Sequence, residues 1–552
     1  MNYALLCRLL GAVCLLIGGS MVFSLPWAIP GIAQRTYAPE ATSVEWQAVF
    51  GFGISMAICA IIGLTLRRIG NSAKGHTLYR KEAMATVGLS WVMATVLGAL
   101  PIFLSGTSIS NDRPITFIES MFEAQSGFST TGATVLTELE DPELVSYCVL
   151  FWRSWTHFLG GLGIVVLFVA ILGQGSAGKA MMRAEMPGPS KEGSMPRMQH
   201  TALVFAAIYI GLNLILAVIY LMEGMTFFDA LCHAFATMAT GGFSTYNASL
   251  GRFNSALIEY TTIFFMILAG TNFTLLYFCS IGSPLRLWRD VEFRVFISII
   301  VLVTVGVVLF GMEYQDDHFE TLGSAVRYGL FQVVSVITTT GYGTGDFDAW
   351  NNFGRGALLL LMFVGGCAGS TGGGMKVIRH ILFAKILRLE IERSHRPRVV
   401  RPLRLGGQAM EDPEVERGIL LYFSFFLAIC AASWMLLVTF EPDRTWGVVR
   451  TAEGAADVAT DTDSPRDLEP PMITTPEQRL KSTLDEKLLD SASAVAATLN
   501  NIGPGLGVVG ATKNYAGFSQ PAKLLFVWLM MLGRVELFSV LVLLSPNFWR
   551  RH

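Results

Sequence analysis

The chain has 552 residues, of which 52% are hydrophobic and 15% are charged, with a formal net charge of −2 and a mean hydropathy of +0.51. Ordinary soluble domains carry roughly 25% charged residues, so a soluble fold could not cover this much apolar surface. The composition predicts a polytopic membrane protein and excludes a secreted disulfide scaffold, a disordered chain and a nucleic-acid binder that relies on bulk basic charge.

Ten apolar runs are long enough to form helices of about 20 residues that cross a hydrocarbon layer ~30 Å thick. They lie near residues 5–25, 47–66, 83–104, 146–173, 201–222, 257–281, 293–312, 355–387, 417–440 and 522–545. The first run could instead be a signal peptide, but its charged end is only Arg8 and a second span follows soon after. We predict that residues 1–70 form two transmembrane helices that flank the rest of the fold.

Basic residues are concentrated at one set of span ends. The loop from Lys376 to Arg417 contains ten Lys and Arg residues, and the tail Arg550-Arg551 lies on the same side. The positive-inside rule makes these ends, and both termini, cytoplasmic. We expect residues 391–416 to form a basic cytoplasmic loop whose charge suits an acidic partner or anionic membrane lipids.

Residues 441–490 form a polar stretch on the opposite side, with twelve acidic residues against six basic ones. The composition predicts an exterior loop that is partly disordered. Its carboxylates could concentrate cations near a pore mouth, although a simple solvated loop is the favoured interpretation.

Four shorter segments recur between pairs of spans on the exterior side. Each combines about three turns of apolar helix with a glycine-containing loop: residues 117–135, 227–245, 328–347 and 490–507. An acid precedes a loop glycine by thirteen residues in three copies, as in Glu119 and Gly132, which matches an acid at the N-terminus of a short helix. The other two acids, by the same spacing, are Asp229 before Gly242 and Asp490 before Gly503.

This self-similarity predicts an all-α polytopic membrane protein in which four parallel M1–pore loop–M2 repeats follow the two N-terminal helices. We place the repeats at residues 80–175, 198–283, 291–390 and 417–547, the last including the acidic exterior loop. Four repeats in one orientation indicate pseudo-fourfold symmetry about a pore normal to the membrane.

Irregular backbone at membrane depth is tolerated only where it is buried in protein or lines water. Four such loops at one depth therefore indicate a water-filled axis, on which the negative ends of the short helices converge. Loop carbonyl oxygens can replace the hydration shell of an ion, and loops without carboxylates favour monovalent cations. The third copy, Thr339-Thr340-Gly341-Tyr342-Gly343, resembles a potassium-channel filter, whereas the other copies keep one aligned glycine. A short filter with modest preference for potassium over sodium follows.

The chain resembles the TrkH/TrkG/KtrB superfamily of potassium transporters, and its TrkH branch most closely. The resembling motifs are STTGATV (129–135), ATGGFST (239–245), TTTGYG (338–343), LNNIGPGLG (499–507), WRSWTHFLGGLGIVVL (152–167), GGCAGSTGGGMKV (365–377) and GRVELF (533–538). The resemblance implies potassium uptake across the bacterial inner membrane, a homodimer, and a cytosolic nucleotide-binding regulator of the TrkA type. It assigns filter backbone roles, and with them K⁺ binding, to Thr131, Gly132, Gly241, Gly242, Thr340, Gly341, Ile502 and Gly503. The transported ion is K⁺, with Rb⁺ or Na⁺ as the other candidates, and we expect no cofactor and no nucleic acid.

The second span of the third repeat is interrupted by glycines, which disfavour a straight helix by roughly 1 kcal/mol each relative to alanine. The residues of this stretch are Gly365, Gly366, Gly369, Ser370, Thr371, Gly372, Gly373 and Gly374. Close helix packing through small residues is the alternative; within a pore, a mobile gate loop below the filter is favoured. Arg534, near the middle of the last span, is costly in a membrane and should face water or a partner. The resemblance implies that it holds the gate loop, and a structural salt bridge elsewhere is the alternative.

Two other functions remain open at this point. A symporter that couples potassium to protons or sodium usually has inverted repeats and ionisable residues at mid-membrane, whereas these repeats are parallel. An intramembrane aspartyl protease would use the Gly343-x-Gly345-Asp346 pattern, but it needs a second aspartate, typically in a Tyr-Asp pair, and the sequence has none.

Overall fold

The structure, a computed structural model, describes residues 1–37, 43–73, 79–110, 113–163, 198–314, 319–396, 403–405, 408–410, 413–446, 448–450, 456–458, 476–535 and 540–549. Most of the predicted exterior acidic loop, the second half of the span predicted at 146–173, Glu536 and the Arg550-Arg551 tail lie outside these ranges.

The described part is almost entirely helical, because its long apolar runs can satisfy their backbone groups internally only as helices. Its helices are α1 (Tyr3–Ser20), α2 (Trp46–Ile69), α3 (Arg80–Leu104), α4 (Phe117–Phe128), α5 (Tyr147–Gly161), α6 (Met198–Met222), α7 (Phe227–Met238), α8 (Ala256–Ala269), α9 (Phe273–Ser280), α10 (Leu285–Arg289), α11 (Val291–Tyr314), α12 (Leu322–Ile337), α13 (Asn352–Leu361), α14 (Val377–His395), α15 (Pro413–Phe440), α16 (Pro476–Leu499), α17 (Gln520–Arg534) and α18 (Pro546–Trp549). Short antiparallel strand pairs join Ser108–Ser110 to Arg113–Pro114, Leu403–Leu405 to Gln408–Met410, and Val448–Arg450 to Ala456–Val458.

Six of the described helices are long and apolar enough to cross a membrane: α1, α2, α3, α6, α11 and α15. A seventh crossing results if α8 and α9 are taken together, but these two helices meet at 105°. The prediction of one continuous helix over 257–281 is therefore wrong. The sequence Gly270-Thr271-Asn272 interrupts it, and the side chain of Asn272 accepts from the Thr274 amide to start α9 (2.8 Å).

Three of the short helices of the repeated segments begin with a hydroxyl that caps the helix. Thr116 and Glu119 form a reciprocal capping box at the start of α4, and Thr226 accepts from the Asp229 amide at the start of α7. Thr321 caps α12 in the same way. These contacts fix the residue at which each short helix begins.

The fourth short helix differs from the prediction, because α16 begins at Pro476 and extends well before the repeated segment. Asp490 therefore lies inside the helix and not at its N-terminus. Its carboxylate instead accepts from the indole nitrogen of Trp446 (3.2 Å) and the amide of Val508 (3.1 Å).

Three of the short helices each contact a helix from another predicted repeat as well as the helix that precedes them in the chain. Helix α7 contacts α5, α12 contacts α8, and α4 contacts α17. The contact between α4 and α17 joins the beginning of the chain to its end, so the four segments are arranged around a closed circle.

The segment between α1 and α2 connects loops of the first two predicted repeats. Buried Arg35 donates to the carbonyl oxygens of Leu139 (2.8 Å) and Thr245 (3.1 Å), which belong to loops of different repeats. The next residue, Thr36, donates from its amide and its hydroxyl to Asp229 (2.8 and 2.9 Å). The segment before α2 is thus part of the assembly and not an independent anchor.

Gly533 in α17 packs directly on the end of α16, where a methyl group would overlap the carbonyl oxygen of Leu499. We predict that Gly533→Ala lowers stability by about 1–3 kcal/mol through overpacking, measured as a lower melting temperature of the purified protein. Gly211→Ala is the matched control, because nothing lies within 4 Å of a methyl group on this α6 glycine. Equal melting temperatures for the two variants would contradict the packing argument.

Candidate functional site

The four loops that follow the short helices share one unusual backbone conformation. In each, two residues separated by one position have positive φ, the left-handed region that costs energy for any residue except glycine. The pairs are Thr130 (53°) and Gly132 (80°), Thr240 (54°) and Gly242 (74°), Thr339 (58°) and Gly341 (78°), and Asn501 (55°) and Gly503 (95°).

The residue between each pair makes the same hydrogen bond back to its helix. Its amide donates to the carbonyl oxygen five residues earlier, and the distance is 2.8 Å in all four copies: Thr131 to Ser126, Gly241 to Ala236, Thr340 to Ser335, and Ile502 to Ala497. The strained turn is therefore fixed by the end of the helix in every copy, although the side chains differ.

The four loops form a closed ring in which each loop glycine lies against the next repeat. A methyl group on Gly132 would overlap the carbonyl oxygen of Gly241, and the same relation holds around the circle. The remaining pairs are Gly242 with the oxygen of Thr340, Gly341 with the oxygen of Ile502, and Gly503 with the oxygen of Thr131 (2.5 Å from the added carbon). All eight residues that the resemblance assigned to the filter thus meet in one place.

The side chains behind the ring differ between the four loops. The hydroxyl of Thr131 bonds to that of Ser129 (2.7 Å), and the hydroxyl of Thr340 bonds to that of Thr338 (2.8 Å). Gly241 has no side chain, and the imidazole of buried His157 occupies the space behind it. The backbone geometry is therefore the same in all four loops, whereas the hydroxyl pair behind the ring is shared only by the first and third.

A buried ion pair holds the chain just beyond the ring in the first repeat. Glu123 of α4 accepts from the amide of Val135 and the hydroxyl of Thr134 (2.6 Å each), and Arg153 of α5 donates to its other oxygen (2.9 Å). The guanidinium carbon lies 4.0 Å from the ring centre of Phe243 in the second repeat. The sequence reasoning missed this pair, although two opposite charges within apolar helices were visible.

On one side the ring opens into a cavity that is continuous with solvent. Its floor contains the loop glycines Gly132, Gly242, Gly341 and Gly503, one from each repeat. The wall includes Arg153 and Lys513 among many backbone and hydroxyl groups. Water and ions can therefore reach the ring from this side.

Asp346, the candidate catalytic residue of the protease alternative, has a structural position. Its carboxylate accepts from the Asp348 amide (3.0 Å) and begins a short 3-10 turn outside the spans. Asp348 accepts in turn from the Gly507 amide of the fourth repeat (2.8 Å). Burial, with the nearby charge of Asp346, raises the pKa of Asp348 to about 6.

The glycine-rich segment 365–374 is an irregular loop between α13 and α14, directly against the ring. The Gly373 amide donates to the hydroxyl of Thr339 (2.7 Å), one of the residues with positive φ. Methyl groups on Gly373 and Gly374 would lie 2.6 Å from Cβ of Asn501 and 3.0 Å from the carbonyl oxygen of Asn500. The glycines are what allow this close approach.

The loop also fills the break in the second repeat. Its Cys367 amide donates to the carbonyl oxygen of Gly270 (2.9 Å), and its Thr371 amide donates to that of Ala269 (3.2 Å). In return the Phe273 amide at the start of α9 donates to the carbonyl oxygen of Gly369 (3.0 Å). The backbone groups freed by the bend between α8 and α9 are thus paired with the loop.

Two basic side chains converge on the loop. Arg534 donates to the carbonyl oxygens of Thr371 (2.5 Å) and Gly160 (2.7 Å), the latter in the first repeat. Lys376 is completely buried, and its ammonium group donates to the carbonyl oxygen of Gly372. The sequence predicts Lys376 to be one of the cytoplasmic loop charges, and its burial in the site corrects that prediction.

Comparison with known proteins identifies the family to which this arrangement belongs. The family model described as TrkH, cation transport protein, matches residues 50–445 and 472–551. The chain belongs to this family.

Relatives and a solved structure agree with the assignment. The Trk system potassium uptake protein TrkH of Salmonella typhimurium (strain LT2) is 34% identical over 555 residues, covering 100% of both chains. The Trk system potassium uptake protein TrkG of Escherichia coli (strain K12) is 31% identical and covers 86% of this chain and 87% of its own length. The crystal structure of the potassium transporter TrkH from Vibrio parahaemolyticus matches with a TM-score of 0.77 and 30% identity over 100% of both chains.

Membership in the TrkH family confirms the predicted resemblance and the all-helical membrane fold. It also makes the chain a multi-pass membrane transporter and not an enzyme, which removes the protease alternative.

Removal of Glu123 leaves Arg153 buried without its carboxylate. We predict that Glu123→Ala lowers stability by about 3–5 kcal/mol, the usual effect of removing one partner of a buried ion pair. The double variant Glu123→Ala, Arg153→Met should recover part of the loss, because the uncompensated charge is gone. Melting temperatures of the three proteins test this, and a double variant that is less stable than Glu123→Ala alone would contradict it.

Proposed function

We propose that this chain takes up potassium across the bacterial inner membrane through a channel-like filter formed by the four loops. The observation that carries the proposal is the closed ring, in which the carbonyl oxygens of Thr131, Gly241, Thr340 and Ile502 each adjoin a neighbouring repeat. Such oxygens can take the place of water around a weakly hydrated cation. The printed names of the relatives, potassium uptake proteins, agree with this ion.

The residues of the ring also favour a channel-like path over coupled transport. Neither the eight filter residues nor the loop 365–374 includes a carboxylate or a histidine that could carry a coupled proton. The nearest buried acid behind the first loop, Glu123, is engaged by Arg153. Ion flux that follows the potassium electrochemical gradient alone is the expected behaviour.

In this proposal the loop 365–374 is the gate, and it is closed in the conformation described above. It lies against Thr339 and Asn501 beneath the ring, and the charges of Arg534 and Lys376 stand where a cation would leave the filter. A fixed positive charge in a region of low dielectric constant repels a permeating cation. Opening then requires the loop and these side chains to move aside.

We further propose that the chain works as a homodimer with both termini in the cytoplasm and with a cytosolic regulator of the TrkA type that binds nucleotides. The naming of the relatives as members of a Trk system agrees with a protein of several components. The basic segment 391–416 offers the charge for such a contact, while the sequence of this chain has no nucleotide-binding motif of its own.

The filter is tested by adding one methyl group to the ring. Gly341→Ala should reduce rubidium uptake into proteoliposomes at least about tenfold, because glycine there has positive φ and adjoins the oxygen of Ile502. Gly356→Ala is the control, since nothing lies within 4 Å of a methyl group on this α13 glycine. If the filter variant and the control variant took up rubidium at the same rate, and sodium at the same rate, the filter would be refuted.

The gate is tested by removing its arginine. Arg534→Ala loses two charge-assisted hydrogen bonds and the fixed positive charge, so rubidium uptake should rise roughly tenfold. Arg294→Ala, which removes an exposed arginine near the start of α11, should leave uptake unchanged. Uptake that stays at the level of the unmodified protein, at equal incorporation into liposomes, would exclude Arg534 from the barrier.

A further inference from the structure

The gate loop has a further attachment that the filter, the bend between α8 and α9, and Arg534 do not provide. Glu292, in the first turn of α11, accepts from the amides of both Ala368 (2.8 Å) and Ile378 (3.0 Å) through one carboxylate oxygen. Ala368 lies within the loop, and Ile378 lies just after it in α14. One side chain therefore joins the two limbs of the loop.

Glu292 is not needed to begin its own helix. The Phe293 amide at the start of α11 donates to the side chain of Asp290 (2.8 Å), which caps that helix. The carboxylate of Glu292 is instead turned toward the loop and is only 7% exposed. Burying a carboxylate is costly unless it is hydrogen-bonded, so its two amide donors account for its stability there.

The start of α14 depends on this contact. The residue at its N-cap position is Lys376, whose side chain provides no cap. The first amides of a helix have no partner within the helix and are usually satisfied by a nearby acceptor. Glu292 supplies that acceptor from another helix, and the positive end of α14 favours the ionised form of its carboxyl group.

We propose that Glu292 is a positioning residue that latches the gate loop shut, by fastening both of its limbs to α11. The inference rests on the proposed gate and deepens it. Displacement of α14 relative to α11 breaks the hydrogen bond from Ile378 and leaves Glu292 attached to the loop only through Ala368, so a force applied to α14 on the cytoplasmic side is coupled to the loop and, through it, to the filter. Arg534 holds the opposite side of the loop through Thr371.

The loop carries its own probe for this latch. Cys367 is 1% exposed, and its backbone is bonded to Gly270, so its thiol should react slowly while the loop is in place. Modification by a small thiol reagent, measured at Cys367 by peptide mass spectrometry, reports release of the loop without any measurement of ion transport. The modification is measured on the full-length protein in detergent or in liposomes.

We expect Glu292→Ala to speed modification of Cys367 roughly tenfold, the factor for losing a charge-assisted hydrogen bond. Glu292→Gln keeps one oxygen acceptor without the charge, so its effect should be smaller, about threefold. Glu313→Ala removes an exposed carboxylate from the other end of α11 and should not change the rate. The rate of Cys367 modification should therefore be highest in Glu292→Ala, lower in Glu292→Gln and lowest in the unmodified protein. A general loss of folding would instead make all cysteines react faster.

Rubidium and sodium uptake by the same variants distinguishes the latch from the proposed function. Faster Cys367 modification with higher rubidium uptake and an unchanged rubidium-to-sodium ratio supports both. Faster modification with unchanged uptake supports the latch and counts against the loop as the gate. A Cys367 rate in Glu292→Ala equal to that in Glu313→Ala overturns the latch, whatever the uptake.

Discussion

The architecture depends on the approach of a carbonyl oxygen to a glycine, repeated four times around a circle. At each of the four contacts the neighbouring backbone leaves no room for a side chain, and each glycine also has a φ that other residues rarely adopt. Because each repeat both supplies an oxygen and accommodates one, no single loop can be shaped alone. Four strained turns must be held in one ring. The short helices, with their caps and the surrounding spans, hold them there.

The structure of the region beneath the ring is explained by the need of every buried backbone group for a hydrogen-bond partner. A bend of 105° between α8 and α9 frees carbonyl oxygens that a continuous helix would have used. The glycine-rich loop of the next repeat pairs with them, and it is irregular itself for the same reason. Each irregularity is stabilised by the other, so the second and third repeats change shape together if they change at all.

Much of this arrangement could be predicted from the sequence, because it depends on residues that recur at regular intervals along the chain. The recurrence of a loop glycine after a short apolar helix identified the four ring segments, and six clustered glycines identified the interrupted span. The bend at Gly270-Thr271-Asn272 could not be seen, since one glycine within an apolar run is typical of an ordinary helix. Lys376 was misplaced because a charge at a span end normally faces water, whereas here a folded-back loop covers it. Asp490 was misplaced because α16 extends into residues whose composition is typical of a loop.

The circle is completed between its first and last members, where Gly503 adjoins the oxygen of Thr131 and α17 packs on α4. During synthesis the N-terminal part of the chain enters the bilayer long before the residues that complete this contact. Until then the first loop lacks its contact with the fourth, and the ring stays open. In the proposed function, a chain that terminates before Gly503 therefore has no complete filter and cannot take up potassium selectively.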